Sequence, residues 1–285
     1  MDTSERTVRG APAIEGAGAR WLRRCVSFPL LVLVWGGWLA LLPVTLPLAA
    51  AIDVLRRSRL ARARLVLLFA VFFCTEVFAL AAALWLWLRF LGRTRPHDLP
   101  ARRAHANLQR GWVRFQWHTF ARLFGISVSV EGQEALAQGP ALLLSRHAST
   151  GDTLLPHLLS PDDASLRMVL KRELLWDPSI DVVGQRLVNA FVKRGGDTAG
   201  DLARVQALGH GLERDLIVVF PEGTRFSAQR KTRLVDKLTR AGDAEGLARL
   251  QQFTEVLPPR AGGVLELLDA APGIDVVFCA HRGLE

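Results

Sequence analysis

Cysteine is scarce in this chain: three among 285 residues, at Cys25, Cys74 and Cys279. The first borders an apolar run, the second lies inside another and the third sits in a strand-like stretch, so no disulfide framework is set up and the pattern fits a reduced compartment. Acidic residues are outnumbered, 27 Asp and Glu against 36 Lys and Arg, for a formal charge of +9. A basic chain favours anionic partners: nucleic acid, acidic lipid surfaces or phosphorylated small molecules. No Gly-x-Gly-x-x-Gly turn and no Gly-Lys-Ser/Thr loop occurs, so the common phosphate cradles of nucleotide sites are missing. The Gly-x-Ser-x-Gly elbow is missing too. The seven histidines form no Cys/His cluster at ligand spacing, so neither a metal nor another cofactor is expected. There is no internal repeat and no low-complexity tract. Nucleic-acid binding is the weaker account of the charge, because no recognisable module accompanies it.

Charge itself is lacking over two long stretches. Half the residues are hydrophobic and the mean hydropathy is +0.20, high for a wholly soluble protein. Phe28 to Ile52 carries no charge, and Leu65 to Leu88 carries only Glu76. A helix of the first length reaches about 37 Å, enough for a hydrocarbon core of about 30 Å. The first run is too long for the apolar region of a cleaved signal peptide. Residues 1–95 are therefore expected to form an N-terminal membrane-embedded helical hairpin. Its connector, Asp53 to Arg64, holds five arginines, and more flank the pair outside, at Arg20, Arg23, Arg24, Arg89, Arg93 and Arg95. Two ordinary spans would carry the connector across the membrane, against the positive-inside tendency. Pro43 and Pro47, which lack a backbone donor, interrupt the first run. A hairpin dipping into one leaflet, all its basic ends cytoplasmic, is the alternative. Glu76 reads as a packed or paired residue rather than a catalytic one.

Residues 96–124 read as a basic amphipathic juxtamembrane segment, with Leu108, Trp112, Phe115 and Thr119 at helical spacing. Such a helix packs on what lies beneath it and offers arginine to anionic headgroups. From residue 125 to the C-terminus, short apolar runs alternate with helical stretches. ISVSVEG alternates like a strand, and ALLLS, SLRMVLK, LIVVF and IDVVFCA read as further strands. GDLARVQALGHGLERD reads as a helix, and another is expected over Lys231 to Glu255. This is the pattern of an α/β domain with a mostly parallel sheet flanked by helices.

The spacing His-x-x-x-x-Asp occurs three times: His147 with Asp152, His157 with Asp162, and His210 with Asp215. In open α/β sheets, chemistry gathers at the carboxyl ends of strands. His147 lies just past ALLLS, at such an edge. Residues five apart on a regular helix point about 140° apart, so the pair meets only across a loop-to-helix junction. Ala148-Ser149-Thr150-Gly151 suits one, with Ser149 or Thr150 as N-cap. His157 and Asp162 each follow a proline in a connecting region. His210 follows Gly209 at a helix end, and Asp215 opens its strand at the amino edge. A second strand end follows LIVVF, at PEGTR. There Arg225 offers a planar fork for a phosphate, Gly223 permits close backbone approach, and Glu222 is positioned to hold Arg225.

HASTGD followed by FPEGTR resembles the glycerolipid acyltransferases, typified by the lysophosphatidic acid (1-acylglycerol-3-phosphate) acyltransferases. VEGQEALAQGPALLLSRH resembles their approach to the first motif and KREL the basic stretch after it. FVKR and LPPRAGG resemble the second and fourth motifs. The chain departs from the pattern at Arg146, where asparagine is frequent, at Val188 in place of a usual glycine, and at Pro-Arg in the fourth motif. The resemblance implies transfer of a fatty acyl group from acyl-CoA or acyl carrier protein to a lysophospholipid hydroxyl, most simply lysophosphatidate to phosphatidate. His147 is then the general base and Asp152 its orienter, Ser145 and Ser149 being weaker candidates as nucleophiles. Glu222, Gly223, Thr224 and Arg225 bind the acceptor phosphate, with Lys171 and Arg194 as supplementary contacts. The resemblance also implies a membrane location with the catalytic domain on the cytoplasmic side, the inner membrane in a bacterium. The alternatives are another lipid acceptor for the same chemistry, or a non-catalytic, membrane-anchored protein binding anionic lipid.

Overall fold

A computed structural model describes residues 14–94, 98–193 and 198–284. They divide into two units, one built mainly from Ala13–Glu131 with Lys171–Val188, the other from Gly132–Leu170 with Asn189–Glu285.

The first unit is helical: α1 (Ala17–Leu55), α2 (Ala61–Arg89) and α3 (Leu99–Phe124). By length and composition α1 and α2 are each able to cross a membrane, and outward residues such as Leu33, Phe78 and Trp85 are exposed. Pro29, Pro43 and Pro47 all lie inside α1, which continues through them. The expected interruption is absent because each proline deletes one bond from a ladder that is otherwise intact. Asp53 closes the connector. Its buried carboxylate accepts from the backbone of Arg62 at 2.8 Å and Ala63 at 2.9 Å, from Ser58 Oγ at 2.6 Å, and from Arg62 Nη1 at 2.9 Å. These contacts satisfy orphan amides at the start of α2 and neutralise part of the arginine run. Ala83 of α2 and Ala106 of α3 pack with Val183 and Leu187, small residues allowing close approach. In α3, Trp112 and Trp117 are buried while Phe115 is exposed. ISVSVEG forms no strand. Val128 and Val130 stay exposed, and an alternating pattern with no neighbouring strand has nothing to pair with.

The second unit carries a five-stranded parallel sheet in the order β3-β2-β4-β1-β5. The strands are β1 (Ala141–Ser145), β2 (Ser165–Lys171), β3 (Ala190–Val192), β4 (Asp215–Val219) and β5 (Asp275–Cys279). The central pair, β1 and β4, aligns Leu142 with Ile217 and Leu143 with Val218. All four side chains are buried, which is why these runs are apolar without alternation. The helices are α4 (Leu155–Leu159), α5 (Thr198–Gln206), α6 (Ala228–Arg240), α7 (Ala244–Gln251) and α8 (Ala261–Ala270). The single helix expected over Lys231 to Glu255 is two. Gly242, at φ +67°, breaks it, and the Asp243 side chain caps α7 by accepting from Gly246 N at 2.8 Å. In β2 the buried Arg167 donates to the carbonyls of Leu208 at 2.9 Å, His210 at 2.6 Å and Gly211 at 2.7 Å, and to Asp215 Oδ2 at 2.6 Å. The third His-x-x-x-x-Asp match thus belongs to an arginine cradle at the amino edge of the sheet.

Candidate active site

β1 and β4 are adjacent and parallel, so the segments leaving their carboxyl ends emerge side by side. His147 is the second residue past β1. A 3-10 turn over Gly151–Leu154 then brings Asp152 back beneath it. Asp152 Oδ1 accepts from His147 Nδ1 at 3.0 Å, and Oδ2 accepts from the amides of Ala148 at 2.6 Å and Ser149 at 2.7 Å. Ser149 Oγ accepts from Gly151 N at 3.1 Å and steadies the junction. Asp152 is fully buried. Burial pushes its carboxyl up, but the hydrogen bond from His147 and the amides of Ser149 and Ala148 outweigh that and hold it below the usual range. An ionised Asp152 accepting from Nδ1 fixes the tautomer that carries its proton there, leaving the Nε2 lone pair available. No side chain among the described residues bonds Nε2. One face of the imidazole lies against the Phe220 ring, centroids 4.6 Å apart.

β4 leads into the turn Phe220 to Arg225. Gly223 N donates to Phe220 O at 2.9 Å and sits at φ +65°, a left-handed backbone that suits glycine. The expected Glu222–Arg225 pair is not formed. Both Glu222 oxygens serve backbone amides, His147 N at 2.8 Å and Leu257 N at 2.9 Å, and the side chain is buried. The reason is tertiary: the fold brings the amides of two segments remote in sequence to this turn, and a buried carboxylate satisfies both. Arg225 is instead exposed, with Nη1 donating to Thr150 Oγ1 at 2.5 Å. Phe226 N donates to His147 O at 2.8 Å, so the two strand-end loops are joined along their backbones. Thr224 is half-buried in the same turn.

The second unit therefore gathers His147, Asp152, Glu222, Gly223, Thr224 and Arg225 at one sheet edge. Lys171 ends β2 and belongs to the helical unit. Arg194 lies outside the described residues. His157 is buried in α4, and His210 follows the 3-10 turn Ala207–Gly209, its carbonyl taken by Arg167. Two features were not anticipated. Arg146 turns toward the end of β5, donating to His281 O at 2.7 Å and Glu255 O at 3.1 Å. His281 Nε2 lies 3.2 Å from Arg146 O and 3.7 Å from Asp152 Oδ2. The signal available for His281 was its place just past the last strand, at the reactive edge.

A family model described as Acyltransferase matches residues 127–278, more than half the chain, and spans both strand-end loops. The chain belongs to the acyltransferase family. Within that family it is similar to a 1-acyl-sn-glycerol-3-phosphate acyltransferase of Pseudomonas aeruginosa, 31% identical over 150 residues. The match covers 51% of this chain, and the chain spans about half, 54%, of that relative's length. No solved structure matches the chain significantly.

Proposed function

We propose that this member of the acyltransferase family is a membrane-bound enzyme that moves a fatty acyl group from an acyl thioester to the hydroxyl of lysophosphatidate, giving phosphatidate. The observation that carries this reading is the His147–Asp152 pair joined by backbone to a turn that presents Arg225. The membership of the family and the name of the relative support acyl transfer to a glycerophospholipid.

In the proposed reaction the acceptor phosphate lies against Arg225 and the backbone of Gly223, which places the free hydroxyl at His147 Nε2. Nε2 takes the hydroxyl proton as the oxygen bonds to the thioester carbonyl carbon. Asp152 stabilises the imidazolium that forms and keeps the ring oriented. Collapse of the tetrahedral intermediate breaks the carbon–sulfur bond, and the imidazolium returns the proton to the departing thiolate. No acyl-enzyme forms, so Ser145 and Ser149 carry no bond to the acyl group. Lys171 and Arg194 remain proposed supplementary phosphate contacts. The donor is acyl-CoA or acyl carrier protein. The two apolar helices hold the protein in the membrane, the catalytic unit on the cytoplasmic side.

The test uses the purified full chain in detergent with labelled oleoyl-CoA, and in parallel labelled acyl carrier protein, with lysophosphatidate. Labelled phosphatidate is expected. Label in a different lysophospholipid and none in phosphatidate would overturn the acceptor; no transfer to any lysophospholipid would overturn the reaction.

A further inference from the structure

Position 260 carries arginine in a stretch, LPPRAGG, whose resemblance to the family leads to an apolar, proline-containing run. Its backbone N donates to Pro221 O at 2.8 Å, so the Arg260 backbone is fastened to the turn that carries Arg225. Its side chain lies across Gly223. A β-carbon built on Gly223 would stand 3.3 Å from Arg260 Cδ, 3.4 Å from Nε and 3.6 Å from Cζ. The guanidinium is thus held against the glycine of the anion-binding turn, two residues from Arg225, and it is exposed.

Nothing nearby accounts for the charge. Among the described residues the Arg260 side chain makes no hydrogen bond and no ion pair. Glu222, next to Gly223 in the turn, has both oxygens occupied by the amides of His147 and Leu257. The first turn of α8, which Arg260 precedes, holds no acidic residue. If covering Gly223 were the whole task, an apolar side chain of similar length would perform it without a charge to solvate. A planar five-donor fork lying on the turn that carries a second one is instead suited to a phosphate bearing two negative charges.

We infer that Arg260 is a second guanidinium on the acceptor's phosphate, and that with Arg225 it selects a phosphate monoester over a phosphodiester headgroup. The inference rests on the lysophosphatidate reading above. A monoester offers three oxygens and close to two charges, enough for two arginines, whereas a diester offers two oxygens and one charge. Arg260 is a specificity residue and takes no part in the proton transfer at His147.

The experiment measures kcat and KM of the full chain in detergent with one acyl donor and two acceptors, lysophosphatidate and lysophosphatidylglycerol. In Arg260→Gln the KM for lysophosphatidate is expected to rise about tenfold with kcat held within about twofold, so that the monoester-to-diester ratio of kcat/KM falls about tenfold. Arg260→Lys keeps the charge and loses the fork, and its ratio should fall about threefold; it decides the matter if the Gln variant does not fold. A ratio unchanged within twofold, or an equal loss of kcat on both acceptors, would show that Arg260 only braces the Gly223 turn. Wild-type protein that acylates lysophosphatidate while the variants keep its ratio overturns this inference alone. Wild-type protein inert toward lysophosphatidate overturns the functional reading and this inference together.

Discussion

Glu222→Gln keeps the shape of a buried side chain and removes one of its two acceptors. In the wild type each carboxylate oxygen takes one amide, His147 N at 2.8 Å and Leu257 N at 2.9 Å. In the variant one amide keeps a carbonyl partner and the other faces an NH2 group, donor against donor. Losing one charge-assisted bond and leaving a buried N–H unsatisfied costs about 2–4 kcal/mol. For a chain of this size that lowers the melting temperature by about 5–10 °C. The amide that moves is either that of the proposed base or that of the segment leading to Arg260. A displacement near 1 Å at the base costs about 100-fold in rate. The expected outcome is therefore a lower melting temperature, followed by tryptophan fluorescence in detergent, with kcat reduced about 10- to 100-fold and the KM for lysophosphatidate within about threefold. An unchanged melting temperature with kcat intact and a raised KM would refute the reasoning, because it would place Glu222 on the acceptor.

Two further substitutions probe the same edge. Asp152→Asn removes the oxygen that takes the amides of Ala148 and Ser149 or turns an NH2 toward His147 Nδ1, and kcat is expected to fall about 10³- to 10⁴-fold; a steady-state rate within tenfold of wild type would count against the orienting role. Because the Asp152 carboxyl is held below its ordinary 3.8, its stabilisation is present above that pH and is lost as pH falls through the lower folded value. The melting-temperature gap between wild type and Asp152→Asn should then narrow below about pH 4, and a gap constant from pH 7 to pH 3 would contradict the depressed titration. Gly223→Ala adds a β-carbon at φ +65°, 3.3 Å from Arg260 Cδ. The left-handed backbone costs about 1–2 kcal/mol, and Arg260 has to shift, so a melting drop of about 3–6 °C with a raised lysophosphatidate KM is expected; unaltered values would mean the turn is not held as described.

What the amino-acid pattern made legible followed burial. ALLLS and LIVVF were readable as strands because the sheet buries both faces of its centre, which demands unbroken apolar runs. His147 stood out from His157 and His210 for the same reason, since a strand has to be recognised before its reactive end can be. The misreadings share a different cause, the dependence of a residue on partners remote in sequence. ISVSVEG alternates correctly but has no strand beside it. Arg167 sits in mid-strand, and only the fold brings three carbonyls and Asp215 around it. Glu222 was assigned to its neighbour three residues on, whereas its partners are 75 and 35 residues away in the chain. The helix expected over Lys231 to Glu255 is split at Gly242, and the capping role of Asp243 depends on the break it follows.

The central claim is that His147 Nε2 removes the proton from the acceptor hydroxyl. Steady-state acyl transfer by His147→Ala, with saturating acyl-CoA and lysophosphatidate and with its melting temperature recorded beside wild type, tests it most directly. The account predicts a folded protein whose kcat is lower by at least about 10³-fold and whose KM for lysophosphatidate stays within about threefold. A variant that keeps more than about a tenth of the wild-type kcat would contradict it.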